Sequence, residues 1–420
     1  MSVRVRLSLY SAIVVGVVPG LSAQTPTKPD TAQARIIAQL QQQAQPAPQV
    51  TTRTGTRIEL SGQVLANGFF NNAKVNNSDV PQFVLPPDPP GLPAGGAGAS
   101  VRQTELSLTA IVPQFAGGSF TGLVDVDFYG GQEQSSGGRT FALLRIRRMR
   151  GDIEWPHAWI MFGQDSPPIA DVNPSSIAST GFPLFAAAGN LWLWIPQVRV
   201  GADVGGAVRL GLEVAALAPS SEEAQAGTFL TQPTRAERSK RPDVEGRLRV
   251  RWLTDTDVPG ELSIGGHYGW FAAQTGDTLI ISQAATVSTR VLLSPFVEVR
   301  GEAFTGQALG GLGGGGIGQS LGVGDVPVHT KGGWAQLNIL PTSEWEIGGG
   351  YGMDDPDDND LLPPGATPPR LKNMSWEGHI TWRPSPLVIG AEFRQITTTY
   401  PAAINDQVAN HINVGLGFVF

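Results

Sequence analysis

The segment His411-Ile-Asn-Val-Gly-Leu-Gly-Phe-Val-Phe420, HINVGLGFVF, closes the sequence on an aromatic residue. With a period of two, Ile412, Val414, Leu416, Phe418 and Phe420 share one face, and His411, Asn413, Gly415, Gly417 and Val419 share the other. One face is uniformly apolar. Such a strand either tucks into a soluble sandwich or turns that face to lipid, and the rest of the chain must decide.

The alternation recurs. Ile58, Leu60, Val64, Ala66 and Phe70 oppose Glu59, Ser61, Gln63 and Asn67; Leu106, Leu108 and Ala110 oppose Gln103, Glu105, Ser107 and Thr109. Phe120, Val124, Val126 and Phe128 oppose Thr121, Asp125 and Asp127, and Trp376, Ile380 and Trp382 oppose Ser375, Glu377, His379 and Thr381. Continued along the chain, the pattern predicts about 16 strands of about 10 residues, the length a tilted strand needs to cross a bilayer. Tight connectors are expected at 113–118, 155–157, 255–260, 294–295, 341–343 and 384–386, and long ones at 71–99, 164–190, 219–241, 307–328 and 354–370. Alternation of short and long links predicts an all-β fold, a transmembrane antiparallel β-barrel with short periplasmic turns and long extracellular loops. In that fold the last strand pairs with the first, near residues 58–70, and Phe420 joins an interfacial girdle with Trp345, Tyr351, Trp376 and Trp382.

Residues 1–23 read as a signal peptide: Arg4 and Arg6 precede an apolar run from Leu7 to Val18, and small residues stand before Gln24. Residues 24–57 read as a periplasmic linker or short helix, with Thr31 to Gln45 as the helical candidate, and residues 58–420 as the barrel. No downstream apolar run reaches the length of a spanning helix. The 420 residues include 0 Cys, which removes disulfides, thiol nucleophiles and thiolate metal sites. The net charge of -7 argues against nucleic acid as a partner.

Beyond the alternation, Val414 to Phe420 resembles the C-terminal assembly signal of outer-membrane porins, carried by Phe418 and Phe420. Leu143-Leu-Arg145-Ile-Arg147-Arg148, Phe162-Gly163-Gln164, Ile195-Pro196-Gln197-Val198-Arg199 and Gly301-Glu302-Ala303-Phe304-Thr305-Gly306-Gln307 resemble the pattern of the DcaP-like trimeric porins. The resemblance implies a homotrimer of sixteen-stranded barrels passing small anionic or carboxylate solutes. It implies as partners the outer-membrane lipids and, during biogenesis, the barrel-assembly machinery. Trp194 stands where an arginine is typical of the pattern, which weakens the carry-over of the solute.

Strand parity puts Arg145, Arg147, Arg199, Arg209, Arg247, Arg249 and Arg251 on lumen-facing positions as a basic wall. Glu59, Glu105, Asp125, Asp127, Glu298, Glu302, Glu377 and Glu392 form acidic lumen positions elsewhere. Opposed walls set up a transverse field that selects ions, whereas arginine–carboxylate ladders would only stiffen the barrel. Regular alternation gives Arg148 and Arg150 the wrong parity for the lumen unless a bulge intervenes. The long connector 164–190, with Asp165, Asp171 and Asn173, is apolar and small enough to fold inward as a constriction loop. Segments 157–163 and 191–200 are apolar on both faces, so Trp159, Trp192 and Trp194 mark either a trimer contact or the seat of that loop.

No histidine pair has metal-ligand spacing, no serine sits in a nucleophile elbow, and no cofactor is called for. The expectation is a diffusion channel. A barrel hydrolase using His267, His379 or His411 as base, or a closed structural or adhesin barrel, are the rivals; the first requires a nucleophile or paired carboxylate beside one of those histidines.

Overall fold

The computed structural model describes residues 49–51, 55–87, 94–134, 140–222, 233–253, 259–274, 277–361 and 368–420. The segments 1–23 and 31–45, read above as signal peptide and short helix, lie outside the described residues. Sixteen strands form the wall: β1 (Arg57–Asn71), β2 (Glu105–Phe115), β3 (Gly118–Asp127), β4 (Arg145–Glu154), β5 (Ala158–Asp165), β6 (Ile195–Gly205), β7 (Val208–Leu217) and β8 (Asp243–Leu253). The second half is β9 (Pro259–Ala272), β10 (Leu279–Ser294), β11 (Val297–Gln307), β12 (His329–Ile339), β13 (Trp345–Pro356), β14 (Lys372–Trp382), β15 (Leu387–Thr399) and β16 (Gln407–Val419). Each pairs antiparallel with its chain neighbour, and β1 pairs with β16 in register Phe70↔Ile412 to Gln63↔Val419. The sheet therefore has no free edge, which is what lets a β-structure sit in hydrocarbon.

Polarity runs opposite to that of a soluble protein. Leu60, Leu108, Leu210, Leu248, Ile264, Val414 and Leu416 all lie exposed on the outer wall. Ser61, Asn67, Ser107, Asp125, Glu213, Arg247, Ser263 and Asn413, on the alternate positions, are buried inside. Burial of the polar set and exposure of the apolar set is the arrangement of a wall solvated by lipid.

The connectors alternate in length as expected, with three further loops, at 128–144, 273–278 and 400–406, that the alternation pattern did not flag. A turn at Gly205–Val208 was also unflagged, because Gly206 and Ala207 interrupt an apolar-looking run without a proline. The expected turn at 255–260 falls mostly on residues that are not described.

Closure is completed by the final residue: the Phe420 N–H donates to Gly62 O at 3.1 Å, and the Gly62 N–H donates to Phe420 O at 3.0 Å. Gly62 has to be glycine, since a Cβ there would stand 2.5 Å from Glu105 O and 3.0 Å from the Phe420 ring. Phe420 lies 6.1 Å from Phe418 between ring centroids, while Trp345 stacks on Trp382 at 5.7 Å near the same end of the barrel. Tyr351 and Trp376 are paired six positions further along the same two strands, about 20 Å away at a strand rise of ~3.3 Å. They therefore belong to the opposite interface, and the single girdle expected from the sequence is two.

Deleting Phe420 or replacing it by Asp removes the last ladder bonds or puts a charge at the lipid boundary, and should sharply lower the yield of heat-modifiable barrel. Normal yield on unheated gels would show that closure does not depend on it.

Candidate lumen constriction

Two consecutive arginines set the geometry of the pore. In β3–β4 the register runs Asp127↔Arg145 and Val126↔Ile146, then skips Arg147 and resumes Asp125↔Arg148 and Leu123↔Arg150. Arg147 is the extra residue of a β-bulge, which reverses the parity of the residues after it. Arg145, Arg147, Arg148, Arg150 and Asp152 consequently all face the lumen. Regular alternation had excluded Arg148 and Arg150, and the Arg-Arg doublet was the signal that could have included them.

The bulge is held from the neighbouring strand. The Gln164 side-chain amide donates to Ile146 O at 3.1 Å and to Arg147 O at 3.0 Å, the carbonyls that the skipped register leaves free. Gly163 precedes it at φ 122°, in a conformation that favours glycine, and a Cβ there would lie 2.2 Å from Met149 O.

Every arginine of the expected basic wall that lies on β4, β6 or β8 faces a carboxylate. Arg145 pairs with Asp127 at 2.5 Å, Arg147 with Glu105 and, at 3.8 Å, Asp127, and Arg148 with Asp125 at 2.8 Å. Arg150 pairs with Asp165 and, at 3.2 Å, Asp152. Arg199 lies 3.4 Å from Glu213, and Arg247 reaches Glu213 at 2.9 Å, Glu261 at 3.7 Å and Asp171. Arg249 meets Glu213 at 2.8 Å, and Arg251 meets Asp203 at 2.6 Å. Arg209 is opposite Arg251 near the turn end. On the acidic side, Glu298 pairs with Arg300, Glu392 with Arg394 at 2.8 Å, Glu377 with His379 at 3.1 Å, and Glu59 with Arg57 at 2.9 Å. The two walls of opposite sign are thus corrected to interleaved ladders, because acidic and basic positions stand side by side both across the antiparallel register and two residues apart on the same face of one strand.

The connector 166–194 folds into the barrel. Ile169 N–H donates to Glu245 at 3.2 Å, Ser175 N–H to Gln336 Oε1 at 2.7 Å, and Leu191 N–H to Glu302 at 3.2 Å. Asp171 is ion-paired with Arg247, Asn190 donates to Asn173 Oδ1 at 3.2 Å, and Asp165 anchors the loop's origin on Arg150. The ends are bound together by Gln197, whose amide donates to Asp165 O at 2.8 Å and Ser166 O at 3.1 Å, while its Oε1 accepts from Arg199 at 2.9 Å. Ile177 packs on Leu65, Val388 and Val419 at the seam and Phe185 on Trp334 of β12, while Ile169 and Asp171 meet Glu245 and Arg247 of β8, so the loop touches opposite sides of the wall.

A second inner loop, 308–328, backs it: Trp192 N–H donates to Leu312 O at 3.0 Å, and Leu309 and Leu312 share a core with Ile169 and Leu191.

Trp192 and Trp194 lie inside the barrel, on the loop's return. Trp192 packs edge-on against Phe182 and Trp194 at 5.1 and 5.5 Å, and Trp194 covers the guanidinium groups of Arg145 and Arg147 at 5.1 and 4.9 Å. Trp159 shares the inward face of Met161, its ring over Gly201. None of the three reaches the outer wall where a subunit contact would form; the two-sided apolarity at Trp192 and Trp194 is that of the loop's return, while Trp159 packs over Gly201 of the next strand. Above them, burial and the Asp79 carboxylate hold the Tyr129 hydroxyl above the usual tyrosine range, so it stays a donor to Asp79.

Beside the loop lies a small cavity lined by Arg147, Arg148, Asn173, Ser175, Ser176, Ser179 and Trp194, among others; its lining holds no carboxylate. The partners Glu105 and Asp125 stand behind the guanidinium groups they neutralise.

One cluster has the outline of a hydrolase. His267 Nδ1 is 2.9 Å from Glu245 and its Nε2 3.2 Å from Ser282 Oγ. The Ser282 hydroxyl, however, donates its proton to Ala308 O at 2.9 Å and is buried under the second inner loop. A nucleophile needs that proton handed to the histidine and a substrate carbonyl within reach. The cluster works as a clasp for the loop. His379 does have paired carboxylates, Glu346 and Glu377 each at 3.1 Å, but all three groups are buried and the carboxylates are engaged, Glu346 by Arg383 at 3.2 Å and Glu377 by the Gln336 amide at 2.9 Å; His411 bonds Asn71.

No family model and no curated protein matches the sequence. Solved structures do match in fold. The outer membrane channel DcaP of Acinetobacter baumannii aligns over 88% of this chain and 99% of its own, at 16% identity and TM-score 0.67. An anion-selective porin from Comamonas acidovorans aligns over 87% and 100%, at 12% and 0.53, and OprB of Pseudomonas putida over 86% and 94%, at 11% and 0.52. The chain thus has the fold of outer-membrane porins, a closed sixteen-stranded barrel.

Asp165→Ala leaves the Arg150 guanidinium with only Asp152 at the root of the loop; since that carboxylate still compensates the charge, the cost should stay below the ~3–5 kcal/mol of an orphaned buried ion, read as a lower urea midpoint of the folded barrel. An unchanged midpoint would make the pair ornamental. A fluorophosphonate probe should leave Ser282 unlabelled in the folded protein, and stoichiometric labelling abolished by Ser282→Ala would restore the hydrolase.

Proposed function

We propose that the protein is an outer-membrane porin, a water-filled channel for passive diffusion of small hydrophilic solutes with a preference for anions and carboxylates. The observation that carries the preference is the carboxylate-free lining of the cavity, where Arg147 and Arg148 face the loop's serines. Near a low-dielectric wall such oriented guanidinium groups favour anions even when their counter-ions lie behind them. The channel reading is supported by the inverted polarity of the wall and by the likeness to channels. By the same likeness, which includes a trimer form of OmpT of Vibrio cholerae, we infer a homotrimer. The surrounding lipid and the barrel-assembly machinery are its other partners, and diffusion requires no cofactor.

Single-channel recording in planar bilayers tests this directly. The wild type should show a zero-current potential on the anion side in a KCl gradient. Arg148→Gln should move it toward cations, most at low salt where screening is weakest, and more than Arg251→Gln, which lies outside the cavity. Cation preference in the wild type, or an inserted Arg148→Gln channel with unchanged selectivity at low salt, would refute the anion reading. Trimming residues 172–188 should raise single-channel conductance severalfold, and unchanged current would mean that the loop does not limit the pore.

A further inference from the structure

On the outside of the barrel, at the loop ends of β5 to β8, lies a cleft of about 620 Å³. Its floor is the outward face of two strands, with Pro196 and Val198 on β6 and Ala216 on β7, continued by Ala218. These side chains are small beside the leucines of the same strand, and they leave a shallow apolar trough running down the wall. Its upper rim is Lys240 and Arg241, both exposed, which come directly after the single-turn helix Arg235–Arg238 and Ser239.

The rim is fixed in place. Lys240 has φ 56°, a left-handed conformation that costs a lysine roughly 1 kcal/mol or more and persists only where the surroundings enforce it. Its N–H donates to Glu237 O at 3.0 Å, and the Arg241 N–H to Ser239 Oγ at 3.2 Å. Glu237, the carboxylate of the rim, is engaged in the helix cap, where it accepts from the Thr234 N–H at 2.8 Å. Neither Lys240 nor Arg241 has an ion pair among the described residues. The Arg241 guanidinium lies 5.2 Å over the Trp270 ring, and Trp270 meets Tyr268 edge-on at 5.1 Å. Tyr268 is exposed on the outer wall, and aromatic residues at that position mark headgroup depth.

We propose that this cleft holds one phosphorylated lipid of the surrounding leaflet, its phosphate on Lys240 and Arg241 and an acyl chain in the trough over Val198 and Ala216. The assignment rests on the outer-membrane reading. Two cations without an ion pair among the described residues, at headgroup depth directly above an apolar trough, match the two halves of such a molecule. A second copy of the chain would have to supply carboxylates and an apolar ridge at the same two heights.

Native mass spectrometry of the detergent-solubilised protein, titrated with bisphosphorylated lipid A or with phosphatidylcholine, tests it. Wild type should retain lipid A, and Lys240→Asn with Arg241→Gln should weaken retention at least tenfold without altering phosphatidylcholine binding or conductance. Ala216→Trp, which fills the trough and keeps the charges, should weaken it as well. Equal retention of lipid A by wild type and both variants would overturn the proposal. So would dissociation of an oligomer by both variants with no change in lipid, since the cleft would then be a subunit contact. Failure of the channel reading would show separately, as absence of conductance in planar bilayers whatever the lipid result.

Discussion

The pore depends on one skipped residue. By leaving Arg147 out of the β3–β4 register, the bulge turns two neighbouring guanidinium groups to the same side of a strand, which regular pleating forbids. Gln164 satisfies the carbonyls thus exposed, Gly163 gives Gln164 its approach, and Arg150, now inward, holds Asp165 where the inner loop departs. Four of the short motifs that resemble DcaP-like porins therefore meet at one mechanical assembly. LRIRR makes the bulge, FGQ caps it, PQVR ties the loop's two ends, and the Glu302 of GEAFTGQ accepts the N–H of Leu191 on the loop's return.

Charge in the lumen is abundant but mostly spent on itself. Ladder pairs such as Arg247–Glu213 and Arg394–Glu392 are buried on both sides and bonded across or along strands. Removing one member would strand the other, so these pairs are costly to break while contributing little net field. The field inside the barrel is decided by which partner stands in front. At Arg147 and Arg148 it is the cation, and the Trp194 ring shields Arg145 and Arg147 from one side.

The barrel was legible in the sequence because lipid outside and water inside impose a period of two on every strand, and one such period, in Ile412 to Phe420, already carries the argument. Lumen positions such as Asp125, Arg247 and Glu392 came from the same parity. Pairing did not, since it depends on the relative slide of neighbouring strands. Parity also failed at Arg148 and Arg150, where a bulge resets it, and at Trp192 and Trp194, where an apolar run belongs to a loop packed inside rather than to a strand. Apolarity reports burial and is silent on which side of the wall the burial lies.

Ile177, from the middle of the chain, packs against Leu65 of the first strand, Val388 of β15 and Val419 of the last, and Asn67 donates to its carbonyl at 3.2 Å. The tip of the inner loop thus grips the seam at which the barrel shuts. Val388 and Val419 lie on paired neighbouring strands, and Leu65 joins the contact only when the two ends of the sheet meet. Closing the wall and pinning the tip of the inner loop are therefore one event at this point, and whatever loosens the seam also loosens that tip.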